Sequence, residues 1–175
     1  MLKLLYNLNT KKAVLLITSI VGIALLISYF VESYFGIKPC ILCLYQRYIY
    51  ILLLLVTCFS IFQKTDHRKF HYIILLMSLI LLLGQSMVAL YNIGVENKMF
   101  SGLASCHITT PTYSSLEELS SHIKSKQNLS SCDEPAFQFY NITFAKLNFC
   151  VAALLFIFGL IKLLYEAQNF NKDKK

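Results

Sequence analysis

The sequence predicts an all-α fold: an integral membrane, antiparallel four-helix bundle with one long loop on its outer face. Three observations lead there. The 175 residues are 57% hydrophobic and only 14% charged, with a mean hydropathy of +0.59, far from the balance of a soluble domain. The apolar residues gather into four runs, each close to the roughly 20 residues that cross a bilayer. Basic residues crowd the ends of those runs on one side, as positive-inside topology requires. The length suits a single membrane domain spanning residues 1–175.

Met1 to Lys12 forms a short basic lead. The first expected span, 13–30, is apolar almost throughout, with Gly22 its one weak point. It is longer than a signal-peptide core and no small-x-small cleavage site follows, so it reads as a retained helix. A loop over 31–41 carries Glu32, Gly36 and Lys38, and a second span follows over 42–62. Gln63 to Lys69 is a brief basic turn, and the third span covers 70–91 with Gly84-Gln85-Ser86 as a polar notch. A glutamine in lipid prefers the bundle interior, so Gln85 is expected to join helices. Residues 92–141 form the long polar loop. Within it Ser114 and Glu117, or Ser115 and Glu118, make a capping box. Leu116, Leu119 and Ile123 then predict a short amphipathic helix, resting on the bilayer or packed on its neighbours. The fourth span, 142–165, has Lys146 and Asn148 near its start and leads to a basic tail.

Orientation follows from the charges. Lys3, Lys11, Lys12, Lys64, Arg68, Lys69, Lys162, Lys172, Lys174 and Lys175 fall on one side, which is therefore cytoplasmic, with both termini. The same distribution explains the net charge of +7. No basic stripe with interleaved aromatics lies outside the membrane, so nucleic acid is excluded as a partner; the lipid bilayer is the partner that the apolar runs imply.

Cys58 and Cys150 lie inside apolar runs, where thiols act as small hydrophobes. The other four, Cys40, Cys43, Cys106 and Cys132, form an even set at or beyond the run ends, on the oxidising side where disulfides persist. Cys40 and Cys43 share one turn at a helix start, a setting that favours the thiolate of a reactive dithiol. Cys106 and Cys132 are a second candidate pair in the loop. Two dithiols on one face allow relay by thiol–disulfide exchange. A zinc site would ask for a second tight pair, and no metal is expected. Purely structural disulfides, as in a non-catalytic membrane assembly protein, are the competing use of the same cysteines. Arg47, four residues beyond Cys43, lies on the same helix face. It can stabilise the Cys43 thiolate and polarise a quinone carbonyl, or snorkel to lipid phosphate.

The run Pro39-Cys40-Ile41-Leu42-Cys43-Leu44-Tyr45-Gln46-Arg47 resembles the P-C-x-L-C-x-x-x-R signature of the bacterial disulfide bond formation family, DsbB. The resemblance extends to four spans, two cysteine-bearing outer loops and Ser131-Cys132-Asp133 before the last helix. It implies a bacterial inner-membrane, quinone-dependent thiol oxidase that reoxidises a periplasmic thioredoxin-fold dithiol oxidase such as DsbA. It also implies roles: Cys106, paired with Cys132, meets the partner; Cys132 exchanges with Cys40; Cys43, assisted by Arg47, faces the quinone, ubiquinone or menaquinone. A relative serving one dedicated partner would carry the same four cysteines. Family members commonly have a histidine near the end of the third helix; here the residues are Tyr91-Asn92-Ile93-Gly94-Val95-Glu96. His107 directly follows Cys106 and reads as an ordinary loop histidine or a nearby base. The vitamin K epoxide reductase-like proteins share the helices and the C-x-x-C, but in them the loop pair comes first.

Overall fold

A computed structural model describes residues 10–36, 39–62, 68–102, 132, 138–139 and 142–172. Four long helices dominate these residues: α1 Thr10–Phe35, α2 Ile41–Phe62, α3 Arg68–Glu96 and α4 Phe144–Lys172. All four are long and apolar enough to cross a membrane, so the protein is a multi-pass membrane protein with an all-α four-helix bundle. A two-residue hairpin, β1 Gln138–Phe139 and β2 Ile142–Thr143, pairs antiparallel immediately ahead of α4. The sequence reading began the fourth span at 142; the chain instead spends two residues there in a strand. The expected amphipathic helix near 114–123, like Cys106, lies outside the described residues.

Each helix contributes a stripe to one shared core. Ile17, Val21 and Leu25 recur every four residues on α1 and meet Tyr50 and Leu53 of α2, Leu75 and Leu82 of α3, and Leu155 of α4. The opposite faces present Leu26, Leu55, Ile80 and Leu154, all exposed. That inversion of the soluble pattern is what a lipid solvent permits, since exposed apolar surface costs nothing there. Helices α3 and α4 approach closely at Gly159, where an added Cβ would stand 2.8 Å from a Leu79 methyl. Small residues allow such approach, and membrane helices gain their packing energy this way.

Two helix ends shape the functional end of the bundle. Helix α1 runs on to Phe35 and stops at Gly36, whose φ of +62° suits a residue without Cβ. Helix α1 thereby takes Glu32 into its last turns, where the sequence suggested a loop. Helix α3 also outruns its expected end, reaching Glu96. There Lys98, at φ 57°, donates its amide to Val95, and the Met99 amide donates to Gly94, both at 2.9 Å. This is the hydrogen-bond pattern of a Schellman cap. The extra turns matter because they carry Glu32 and Asn92 to the site.

A dithiol at the end of the bundle

Cys40 sits one residue ahead of α2 and Cys43 in its first turn. Pro39 suits the residues just before a helix, having no amide to leave unpaired. One turn of helix brings the two sulfurs to 2.6 Å, with the Cys40 thiol donating to Cys43. The Cys43 amide in turn donates to the Cys40 sulfur at 3.2 Å. The two thiols thus stand close enough to form a disulfide once an acceptor takes two electrons and the two protons leave. The hydrogen bond to Cys43, together with burial, holds the Cys40 thiol well above the ordinary thiol range. Both are free thiols.

Cys132 is disulfide-bonded and buried against the same dithiol. It packs in one cluster with Cys40, Leu42 and Val95, with Cys43 and Tyr91 at its edge. Three of the four cysteines expected to carry the chemistry therefore meet at one end of the bundle; Cys106 is outside the described residues. Cys58 is half-buried, and Cys150 is exposed on the surface of the apolar helix α4.

Arg47 lies one turn below Cys43 and is gripped by three residues of α1. Its Nε donates to Ser28 Oγ at 3.0 Å, Nη1 pairs with the Glu32 carboxylate, and its guanidinium lies 4.8 Å above the Tyr29 ring. Its side chain is only 12% exposed, so it does not snorkel outwards. Positions 28, 29 and 32 form one face of α1, a helical cage for a cation that the C-x-x-C motif alone did not reveal.

On the other side of Cys43, Asn92 of α3 is buried and donates its amide to the sulfur at 3.8 Å. Asn148 of α4 donates to Gln46 of α2. Glu96 accepts from Thr143 at 2.7 Å, tying the end of α3 to the start of α4. Between α1, α2 and α4 lies a cavity of about 270 Å³ whose walls include Cys43, Gln46, Arg47, Tyr50 and Leu147. Among the described residues, no group of three or more His, Cys, Asp or Glu could hold a metal ion.

Four spans with a dithiol at a helix start and a disulfide-bonded cysteine packed upon it define, as a class, a membrane protein equipped for thiol–disulfide exchange. More particularly, the chain belongs to the family of the disulfide bond formation protein DsbB, which matches residues 10–162. It is also 27% identical over 157 residues to an uncharacterized protein, RP370, of Rickettsia prowazekii (strain Madrid E), covering 89% of this chain and 88% of that one. No solved structure matches.

Asn92, Glu32, Ser28, Tyr29 and Asn148 are site residues that the motif did not supply. For Asn92 the one signal in the sequence is its place at the end of an apolar run, which a loop residue would share; its burial is visible only in the structure.

Proposed function

We propose that the protein reoxidises a periplasmic DsbA-like dithiol oxidase and passes the electrons to membrane quinone. It would do so in a bacterial inner membrane with both termini cytoplasmic and the dithiol end outward. The observation that carries this reading is the two-sided setting of the dithiol. Cys40 packs with disulfide-bonded Cys132, while Cys43 and Arg47 open onto a cavity between helices.

In this reading Cys132 is paired with Cys106 at rest. A partner thiolate attacks Cys106, forming a mixed disulfide and releasing the Cys132 thiolate. A second partner thiolate resolves it, leaving the partner oxidised and Cys106 and Cys132 reduced. Cys132 then exchanges with an oxidised Cys40–Cys43 pair, and Cys106 closes on Cys132. Two electrons and two protons thus arrive on Cys40 and Cys43 for each partner disulfide formed. A quinone bound in the cavity supplies the two-electron acceptor. The cavity fits such a group: its walls are mostly apolar, and Arg47 and Gln46 offer N–H donors to a carbonyl oxygen. The Glu32, Ser28 and Tyr29 grip fixes the guanidinium beside that volume, so no reorganisation is needed on binding. Asn92 stands near the end of the third helix, the region where family members commonly carry a histidine, and is a polar neighbour of Cys43.

The test joins both halves. In a Cys132→Ser variant the Cys106 thiolate should attack the disulfide of the oxidised thioredoxin-fold partner and hold it as a mixed disulfide, the partner's second sulfur leaving as a thiolate. Purified wild-type protein should reduce a soluble short-chain quinone when given that partner's dithiol. Absence of both the trapped species and quinol production would leave a structural role for the disulfides.

A further inference from the structure

Below Cys43 runs a line of buried polar groups that the protein does not satisfy. On α2, Gln46 and Tyr50 follow Cys43 at intervals of three and four residues, on one helix face. On α3, Asn92 and Gln85 are seven residues apart, two turns on one face. These side chains are 4%, 3%, 1% and 0% exposed respectively. Yet Gln46 Nε2, Tyr50 Oη, Asn92 Oδ1 and both Gln85 amide atoms have no hydrogen-bond partner among the described residues. The Gln85 amide faces the Tyr50 hydroxyl without closing a bond of ordinary geometry. Asn92 Nδ2 reaches the Cys43 sulfur. The seam therefore extends from the dithiol to Gln85, about 10 Å along the helix axis, into the middle of the Phe70–Glu96 span.

Five orphaned polar atoms in one seam are too many for a dry interior in lipid. An occupant of the cavity reaches Gln46 and Tyr50, which line it. Gln85 and Asn92 stand behind them, on α3, which supplies none of the cavity's walls among the described residues. Groups spaced this way, each offering a donor or acceptor, fit water, which needs two to four polar partners.

We infer that Gln46, Tyr50, Gln85 and Asn92 bind a short file of water. This file carries protons from the dithiol to the cavity, with Tyr50 Oη as the delivering atom. The inference rests on the quinone reading for its direction, but the water file itself does not. When the Cys40 and Cys43 thiols close into a disulfide, two electrons leave for the acceptor in the cavity and two protons are released. Tyr50 gives its hydroxyl proton to the acceptor's oxygen and regains one through the water file. Repeating this for the second proton accounts for both, and Tyr50 ends unchanged.

The test uses the full chain in lipid nanodiscs. Hydroxyl-radical footprinting labels buried side chains beside bound water, and Tyr50 is expected to label while Leu53 and Leu82 stay protected. Protection of Tyr50 equal to that of Leu53 would overturn the water file, whether or not the protein reduces quinone. Labelling of Tyr50 in a protein that reduces no quinone would uphold the file and remove the quinone reading instead. For delivery, Tyr50→Phe and Gln85→Leu should each slow turnover at saturating short-chain quinone by roughly tenfold or more. They should also enlarge the solvent deuterium isotope effect and leave KM for quinone within about twofold. Gln85→Asn, which keeps an amide and makes room for one more water, should recover most of the rate. Unchanged turnover and isotope effect in folded Tyr50→Phe would overturn Tyr50 as the delivering atom.

Discussion

The two ends of the bundle both bury polar groups, and they treat them in opposite ways. At the end away from the dithiol, Thr10 of α1 donates to the Glu166 carboxylate of α4 at 2.8 Å. Ser60 of α2 meets His71 of α3 at 3.1 Å. Lys162, one turn before Glu166, sits 5.4 Å from the Tyr165 ring centroid and is 1% exposed. The first two contacts clamp helices together in pairs, α1 to α4 and α2 to α3. At the dithiol end, amides and hydroxyls are left short of partners among the described residues, and a cation paired with Glu32 is held beside a cavity. A satisfied polar cluster contributes stability and specificity of packing; an unsatisfied one costs stability and is kept for chemistry.

That contrast can be broken by substitution. The largest effect should come from Cys43→Ser, which removes the sulfur shared by the dithiol and the cavity. Quinone-dependent oxidation of a partner dithiol should fall by roughly 10³-fold or more, with the melting temperature in nanodiscs essentially unchanged. A large drop in melting temperature would mean that the dithiol is a structural element.

Glu166→Ala should do the reverse. It leaves Thr10 and Lys162 without their carboxylate neighbour in the bundle, at a cost of about 3 kcal/mol, while turnover per folded molecule stays at the wild-type value. Chemical denaturation alongside an activity titration reads both, and lost turnover in folded protein would merge the two ends into one functional unit.

Gly159→Val lies between the ends and should cost about 1–3 kcal/mol by overpacking against Leu79. A cost near zero would show that α3 and α4 separate easily.

The smallest effect is one of pH. The Cys40 thiol is raised in the folded protein, so its protonated form is favoured by the fold. That contribution is fully present below the unfolded thiol's pKa of about 8.5 and is lost as pH rises above it. Reduced protein should therefore lose up to about 1.4 kcal/mol per pH unit above that point, and Cys40→Ser should flatten the slope. An equal slope in the variant would place the titrating group elsewhere.

Much of this architecture was legible in the chain. Apolar runs and flanking lysines sufficed for four spans because the bilayer imposes one length and one hydrogen-bonding solution on every helix. The Pro39–Arg47 run marked the dithiol and its cation because i, i+3 and i+4 spacing is local geometry. The helix ends were less legible. In the sequence Glu32 and Asn92 look no different from loop residues, since polar residues lower hydropathy whether they face water or a buried partner. Their actual roles depend on contacts 15 residues away, to Arg47, and 49 residues away, to Cys43. The seam of Gln46, Tyr50 and Gln85 was hidden for the same reason. Only Gln85 stood out within an apolar run, and the polar atoms opposite it belong to another helix. The placement of Cys132 on the dithiol is likewise a tertiary fact that spacing cannot carry.

The grip on Arg47 has a consequence for how the chain is made. Both charges of the Glu32–Arg47 pair lie within α1 and α2, joined by only five residues, 36–40. The pair is complete in the first helical hairpin and needs nothing from α3 or α4. A lone arginine costs up to about 2.5–3.5 kcal/mol on insertion at the centre of a span and less near its end, where Arg47 lies. Emerging with its counterion already one hairpin upstream, Arg47 can enter the bilayer neutralised, so the most hydrophilic part of the site is built first during biogenesis.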